Sequence, residues 1–246
     1  MAEGKEGRRV ALVTGASRGI GAAIARTLSA EGCAVAVNYL RSREAAERLA
    51  GELGDAVAIR ADVADAAQVA DLLAQTERAL GPVDILVNNA GIAEQKLFTD
   101  ITEDEWDRLF AVDVKGMFLT CQAVLPGMIH RKRGSIVNLS SIWGLTGASC
   151  EVHYSAAKAA VIGFTKALAK EVGPSHIRVN CVAPGVILTR MNAALAPETM
   201  EALREETPLE TLGTPEDVAA AVAFLAGENA RFITGQVLSP NGGIVI

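Results

Sequence analysis

Tyr154 and Lys158 stand four residues apart in Tyr154-Ser-Ala-Ala-Lys158, with Ser141 thirteen residues before the tyrosine. On a helix, positions i and i+4 share a face, so the phenol and the ammonium would project side by side. A cation beside a phenol stabilises the phenolate and is expected to draw the tyrosine pKa down from its reference of about 10. A tyrosine tuned in this way passes a proton to or from a substrate oxygen near neutral pH. The Ser141 hydroxyl can hydrogen-bond the same oxygen and fix its position. A tyrosine and a lysine at this spacing are a frequent accident, so the weight falls on the elements around them.

Upstream, short apolar runs alternate with helical stretches. Residues 10–14 read as a strand buried on both faces. Gly15-Ala-Ser-Arg-Gly-Ile-Gly21 follows, and residues 22–31 read as a helix. Between a strand and a helix, glycines let the backbone approach a diphosphate, whose charge meets the amides at the helix N-terminus. The second strand, 34–38, ends without the Asp or Glu that would hold a ribose 2'-hydroxyl and repel a 2'-phosphate. Arg18, Arg41 and Arg43 stand near instead, which favours NADP(H); the competing reading has these arginines merely solvating the helix 44–53. A third strand, 56–60, leads to Asp62 and Val63, placed to meet an adenine ring, and to a helix over 66–80.

The fourth strand, 84–88, closes with Asn88-Asn89-Ala90-Gly91 at the carboxyl end of the sheet, where open α/β sheets bind ligands; plain turn chemistry competes with that reading. Thr102 and Glu105 form a capping-box pattern that opens a helical region to about residue 131, bent near Gly116. A fifth strand, 134–138, delivers Ser140 and Ser141. The helix of Tyr154 runs to about residue 172, with Ala156, Ala160, Gly163 and Ala167 allowing close packing. A sixth strand, 177–182, ends at Pro184-Gly185. Residues 186–212 have the look of a mobile substrate lid. Thr214 and Pro215 start a last helix to residue 226, and 236–239 a last strand before the apolar tail 244–246. Because the alternation never breaks, residues 1–246 are expected to form a single doubly wound α/β domain of Rossmann type, with a mainly parallel sheet.

Composition agrees. Half of the 246 residues are hydrophobic and only 4% aromatic, which suits an aliphatic core of helices on a parallel sheet. The net charge of −6 argues against nucleic acid or an anionic membrane as the main partner. Cys33, Cys121, Cys150 and Cys181 are scattered, with no metal-ligand spacing, so a reduced cytoplasmic protein without structural zinc is expected. No apolar run approaches the roughly 18 residues of a membrane span.

Together, TGASRGIG, NNAG, the Ser-Tyr-Lys set and the Pro-Gly after strand six resemble the short-chain dehydrogenase/reductase family over nearly the whole chain. The resemblance implies that Gly15, Gly19 and Gly21 cradle the diphosphate, with Ser17, Arg18 and Ile20 in the same turn and Arg41 near the 2'-phosphate. It implies Asp62 and Val63 at the adenine, and Asn89, Ala90 and Gly91 along the cofactor. Tyr154 and Lys158 would stand at the nicotinamide ribose, and Pro184, Gly185 and Thr189 would flank the nicotinamide. Ser141 would position the carbonyl, Tyr154 donate the proton and Lys158 support it. The activity implied is NADPH-dependent reduction of a ketone by a cytoplasmic homotetramer.

Within the family, TPLETLGTPEDVA and FITGQVLSPNGG look closest to bacterial 3-oxoacyl-acyl-carrier-protein reductases. SSIWGLTGASCEVHYSAAK looks like the branch that reduces the aminopentanone modification of elongation factor P. A hydroxysteroid or sugar-alcohol dehydrogenase, or a dinucleotide-sensing protein without activity, stay open as alternatives. Two positions depart from the pattern. Asp113 occupies the place of the family's fourth catalytic residue, an asparagine that supports a helix bend and a relay water. An ionised aspartate only accepts hydrogen bonds, and its charge would favour protonated lysine and oppose tyrosinate. Ser175 and His176 stand where carrier-dependent reductases often have a basic residue, although His130-Arg-Lys-Arg133 could supply charge.

Overall fold

The computed structural model describes residues 8–189 and 197–246. Continuous apolar runs become seven parallel strands: β1 (Val10–Val13), β2 (Ala34–Tyr39), β3 (Ala56–Arg60), β4 (Ile85–Asn88), β5 (Gly134–Leu139), β6 (Ile177–Val182) and β7 (Val237–Leu238). Their order is β3-β2-β1-β4-β5-β6-β7. The chain leaves β1 first toward β2 and β3 and returns to β4 on its other side. That reversal opens a crevice at the carboxyl ends of β1 and β4. The glycine turn follows β1 and the paired asparagines follow β4, so both motifs meet there.

Helices cover both faces: α1 (Gly19–Ala30), α2 (Arg43–Leu53) and α9 (Pro215–Ala226) on one, and α3 (Ala66–Leu80), α5 (Gly116–Arg131) and α7 (Val152–Val172) on the other. Alternation along a strand divides the core. Ala11 and Val13 of β1 pack with Ile24, Leu28 and Val222, whereas Leu12 packs with Leu72, Met117 and Val161. A row of polar side chains crosses the second layer. Thr120 Oγ1 of α5 lies 2.6 Å from Asn88 Oδ1, Asn88 Nδ2 donates to Asn138 Oδ1 at 2.9 Å, and Asn138 Nδ2 donates to Thr165 Oγ1 of α7 at 2.9 Å. All four are buried. Asn88, at the end of β4, therefore faces the interior of the sheet layer and not the ligand crevice.

The capping box of Thr102 and Glu105 is present and starts α4 (Glu103–Phe110). The bend anticipated near Gly116 is a turn of π-helix, Ala111–Lys115, inserted between α4 and α5. The extra residue in a π turn re-aims the side chains within it, and Asp113 ends up buried. Gly116 follows because a Cβ there would stand 2.8 Å from Val63 Cγ2.

Several boundaries differ from the sequence reading. Helix α1 begins at Gly19, so the second half of the glycine turn already belongs to its first turn. A short helix, α6 (Trp143–Thr146), and a further helix, α8 (Pro197–Glu206), lie in stretches read as irregular. Of the stretch 186–212, residues 190–196 fall outside the described residues. Its flanks are joined by the backbone of Val186 and Leu188 to Gly213. The continuous helical stretch Glu103–Arg131 is long and apolar enough to pass for a membrane span, contrary to the sequence expectation. Its apolar window is 44% buried, because α5 is a core helix packed on β4 and β5.

Candidate functional site

The glycine turn is shaped by what it lacks. Gly15 and Gly19 have φ of 61° and 54°, a left-handed conformation that side chains disfavour. A Cβ on Gly21 would stand 2.5 Å from Asn89 Nδ2 and 2.7 Å from the Gly15 carbonyl oxygen. The turn is braced from behind. Asn38, one residue before the tip of β2, accepts from the Gly15 N–H at 3.1 Å and donates to the Ala61 carbonyl at 3.1 Å. Asn89 Nδ2 donates to the carbonyls of Thr14 and Gly15 at 2.9 and 3.2 Å. Thr14 Oγ1 accepts from the N–H groups of Asn89 and Ala90, both at 3.0 Å. In front, α1 begins without a side-chain cap and without an acid in its first turn. An uncapped helix start behind a side-chain-free turn leaves amides for an anion, so these residues fit the diphosphate of a dinucleotide.

Two asparagines change meaning here. The sequence reading saw only that β2 lacks a terminal acid; Asn38 is in fact the brace of the turn, a role set by contacts that no local pattern announces. Asn89 directs its amide at the turn backbone, so it shapes the cradle from behind. Arg18 is exposed, its Nη1 3.4 Å from Ser42 Oγ, and Arg41 is exposed beside it in sequence order at the end of β2. Arg43 instead pairs with Glu47 on α2 at 2.7 Å, as the solvating reading has it. Asp62 is half-buried and accepts from the Ala64 N–H at 2.9 Å. Val63 is buried, with its side chain beside Gly116. Ser17 and Ile20 are half-buried within the turn.

At the carboxyl end of β5, Ser141 Oγ accepts from the Trp143 N–H at 3.2 Å, and its hydroxyl interacts with that of Tyr154. Ser140 Oγ donates to the Lys158 carbonyl at 2.8 Å, pinning α7 to the strand. Lys158 Nζ lies 5.4 Å from the centroid of the Tyr154 ring and donates to the Leu139 carbonyl at 3.2 Å. It also forms an ion pair of 2.8 Å with Asp113 Oδ2, while Asp113 Oδ1 accepts from the Ile92 N–H at 2.8 Å. Gly91 lies against them: a Cβ there would stand 2.8 Å from Asp113 Oδ2 and 3.2 Å from Lys158 Nζ and would push their charged ends aside.

This geometry corrects the expected tuning of the tyrosine. Tyr154 keeps some exposure over its side chain, but its hydroxyl is held above the ordinary phenol range. Burial among its neighbours raises it most. Lys158 and the hydrogen bond to Ser141 pull it down, while Asp113 and Glu151 push it further up. For Lys158, burial acts to lower the pKa, but the Asp113 carboxylate, Tyr154 and the contact with Asp113 outweigh it and hold the ammonium well above its usual range. The lysine is a fixed positive charge, already neutralised by its partner.

Around this centre, the Ile142 N–H donates to the Pro184 carbonyl at 3.0 Å and the Gly185 N–H to the Pro240 carbonyl at 3.1 Å. Thr189 is half-buried just before the residues outside the description. Two loops join at the rim: the Lys96 N–H donates to the Cys150 carbonyl at 2.7 Å, and Gln95 Nε2 donates to Glu151 Oε1 at 3.0 Å. By contrast, His130–Arg133 stand at the amino ends of the strands. There Arg133 Nη2 pairs with Asp84 at 2.9 Å, and Lys132, Arg133, His176, Arg178 and Arg231 line a cleft of about 700 Å³. Those charges are at the opposite end of the sheet from Tyr154.

A family model described as enoyl-(acyl carrier protein) reductase matches residues 15–245. The chain belongs to the short-chain dehydrogenase/reductase family. It is 44% identical over 238 residues to a 3-oxoacyl-[acyl-carrier-protein] reductase of Staphylococcus aureus, covering 95% of this chain and 97% of that one. It is 42% identical over 241 residues to nodulation protein G of Azospirillum brasilense and to an uncharacterized oxidoreductase, YmfI, of Bacillus subtilis, each covering 96% of this chain and 98% of the relative. Like others of the short-chain dehydrogenase/reductase family, the protein is an oxidoreductase that interconverts CH–OH and C=O groups with a nicotinamide cofactor.

Proposed function

We propose that the protein is an NADPH-dependent ketoreductase acting on a 3-oxoacyl thioester. The observation that carries the reading is the meeting of Ser141, Tyr154 and Lys158 at the carboxyl ends of the strands, beside a glycine cradle with an open helix start. The nicotinamide cofactor, when bound, supplies hydride to the carbonyl carbon. Tyr154 gives its hydroxyl proton to the carbonyl oxygen, and Ser141 holds that oxygen in position. Lys158 faces the nicotinamide ribose and lessens the cost of the negative charge left on Tyr154. Pro184, Gly185 and Thr189 bound the nicotinamide side, with Asn89, Ala90 and Gly91 behind it. A 3-oxoacyl thioester is favoured by the 44% identity to the staphylococcal reductase.

Measuring NADPH oxidation with a 3-oxoacyl thioester, aminopentanone-modified elongation factor P and a ketosteroid tests the substrate. The thioester should turn over fastest; preference for either of the others would overturn the assignment. A second reading, a cationic aminoketone, is favoured by one observation: Glu151 lies close enough to Tyr154 for its charge to act on it. Replacing Glu151 with Gln is expected to narrow the ranking of cationic over anionic ketones. A ranking unchanged by that substitution removes Glu151 from the substrate pocket.

The proposal includes a cytoplasmic homotetramer without nucleic acid or membrane partners. Phe232 is fully exposed in the single chain, and Phe224, Leu238 and Ile246 are exposed with it. On α7, Gly163 and Ala167 are exposed too, a small-residue face suited to close packing. Such apolar surface is better buried than wet. Light scattering at micromolar concentration should return four times the 25.6 kDa chain mass; a mass of one chain would contradict the assembly.

A further inference from the structure

Asp113 is 3% exposed, and both its carboxylate oxygens point inward: one to the Ile92 N–H, the other to Lys158 Nζ, each at 2.8 Å. The backbone of Gly91 runs beside the pair, where an added Cβ would stand 2.8 Å from Asp113 Oδ2. The ammonium is thus in direct contact with a carboxylate, while the tyrosine ring centroid is 5.4 Å away. A lone ammonium stabilises a phenolate, but an ammonium paired with a carboxylate presents a nearly neutral dipole and loses much of that effect. The other groups near Tyr154 do not restore it. Glu151 adds a second negative charge. Cys181 of β6, beside Lys158, is buried and its thiol is pushed up to about 12, so it stays neutral. Helix α6 brings no charge, Glu105 of α4 is bound to Lys96, and His153, one position before Tyr154, turns to another side of α7.

We propose that Asp113 is a positioning residue: by pairing with Lys158 it withdraws the ammonium's pull on Tyr154, so that the tyrosine serves as a proton donor up to more alkaline pH than a lone lysine would allow. This rests on the reading of Tyr154 as proton donor. In reduction the Tyr154 O–H bond breaks and its proton joins the substrate oxygen, as hydride from NADPH joins the carbon. The tyrosinate then regains a proton from solvent. Oxidation runs the same step backwards, and at a given pH the two directions stay tied by the equilibrium constant, so the pairing moves the pH profiles and not the balance between them.

Tyr39 and Tyr154 are the only tyrosines, so Tyr39→Phe leaves a single phenol whose ionisation absorbance titration reads directly on the full chain. In that background the midpoint should lie above the free-tyrosine value of about 10, within the pH range where circular dichroism stays native. Adding Asp113→Asn should lower it by about one pH unit or more, and move the alkaline limb of the kcat profile for ketone reduction down by the same amount. A midpoint at or below about 10 in Tyr39→Phe alone overturns the proposal, even if the double variant fails to fold. So does an unshifted midpoint or an unmoved alkaline limb in the double variant. Failure of the donor reading would register elsewhere, as activity surviving Tyr154→Phe.

Discussion

Tyr154→Phe is expected to lower kcat by about a hundredfold to ten-thousandfold, the range a positioned acid contributes, while NADPH binding changes little. The substitution removes one oxygen and leaves the ring over which Lys158 sits. Lys158 keeps Asp113 and the Leu139 carbonyl as partners, so the helix has no reason to move. The loss should fall on kcat and not on cofactor affinity, because the proton is transferred in the transition state only. Steady-state kinetics with NADPH fluorescence titration separates the two. Turnover within tenfold of the parent would remove Tyr154 from proton transfer.

The second large effect concerns cofactor choice. Arg18 and Arg41 are exposed near the tip of β2, whereas Arg43 is taken up by Glu47. One residue before the tip stands Asn38, whose side chain is buried in bracing the glycine turn. No carboxylate stands there to meet a ribose hydroxyl. The parent should therefore prefer NADPH over NADH. Replacing Arg41 with Asp exchanges a positive for a negative charge where a 2'-phosphate is expected, which should reduce kcat/KM for NADPH by about tenfold to a hundredfold. The preference should then reverse. Equal kcat/KM for both cofactors in the parent would end this assignment. Asn38 is a poor place for the same exchange, because an aspartate there could not donate to the Ala61 carbonyl.

The order of strands and helices was legible because both-faces-buried strands read as apolar runs, and because glycine, proline and capping signals separate them. The Thr102–Glu105 box and the spans of β3, α3 and β6 needed only local chemistry. The glycine turn was also legible, since φ above zero and the absence of a Cβ select the residue type directly. What escaped the sequence depends on contacts between distant segments. Asn38 braces a turn 23 positions away in the chain. Asn88 and Asn89, adjacent and identical, part company: one joins a buried row, the other ties down the glycine turn. The tyrosine's tuning was misread because the i to i+4 spacing shows the lysine but neither the burial nor the aspartate brought in by the π turn.

The polar row from Thr120 through Asn88 and Asn138 to Thr165 has a consequence for how this protein can change over time. These side chains are 7% exposed or less, and each is a partner of the next. Altering any one strands its neighbour without water, at about 1–3 kcal/mol for the orphaned group. Replacing all four together by apolar residues of similar shape could approach neutrality, yet every single-step route toward that outcome passes through a weakened intermediate. Effects at these sites will be strongly non-additive. The row is an evolutionary ratchet: random mutagenesis that selects for heat resistance one change at a time should leave it intact, while neighbouring aliphatic positions drift.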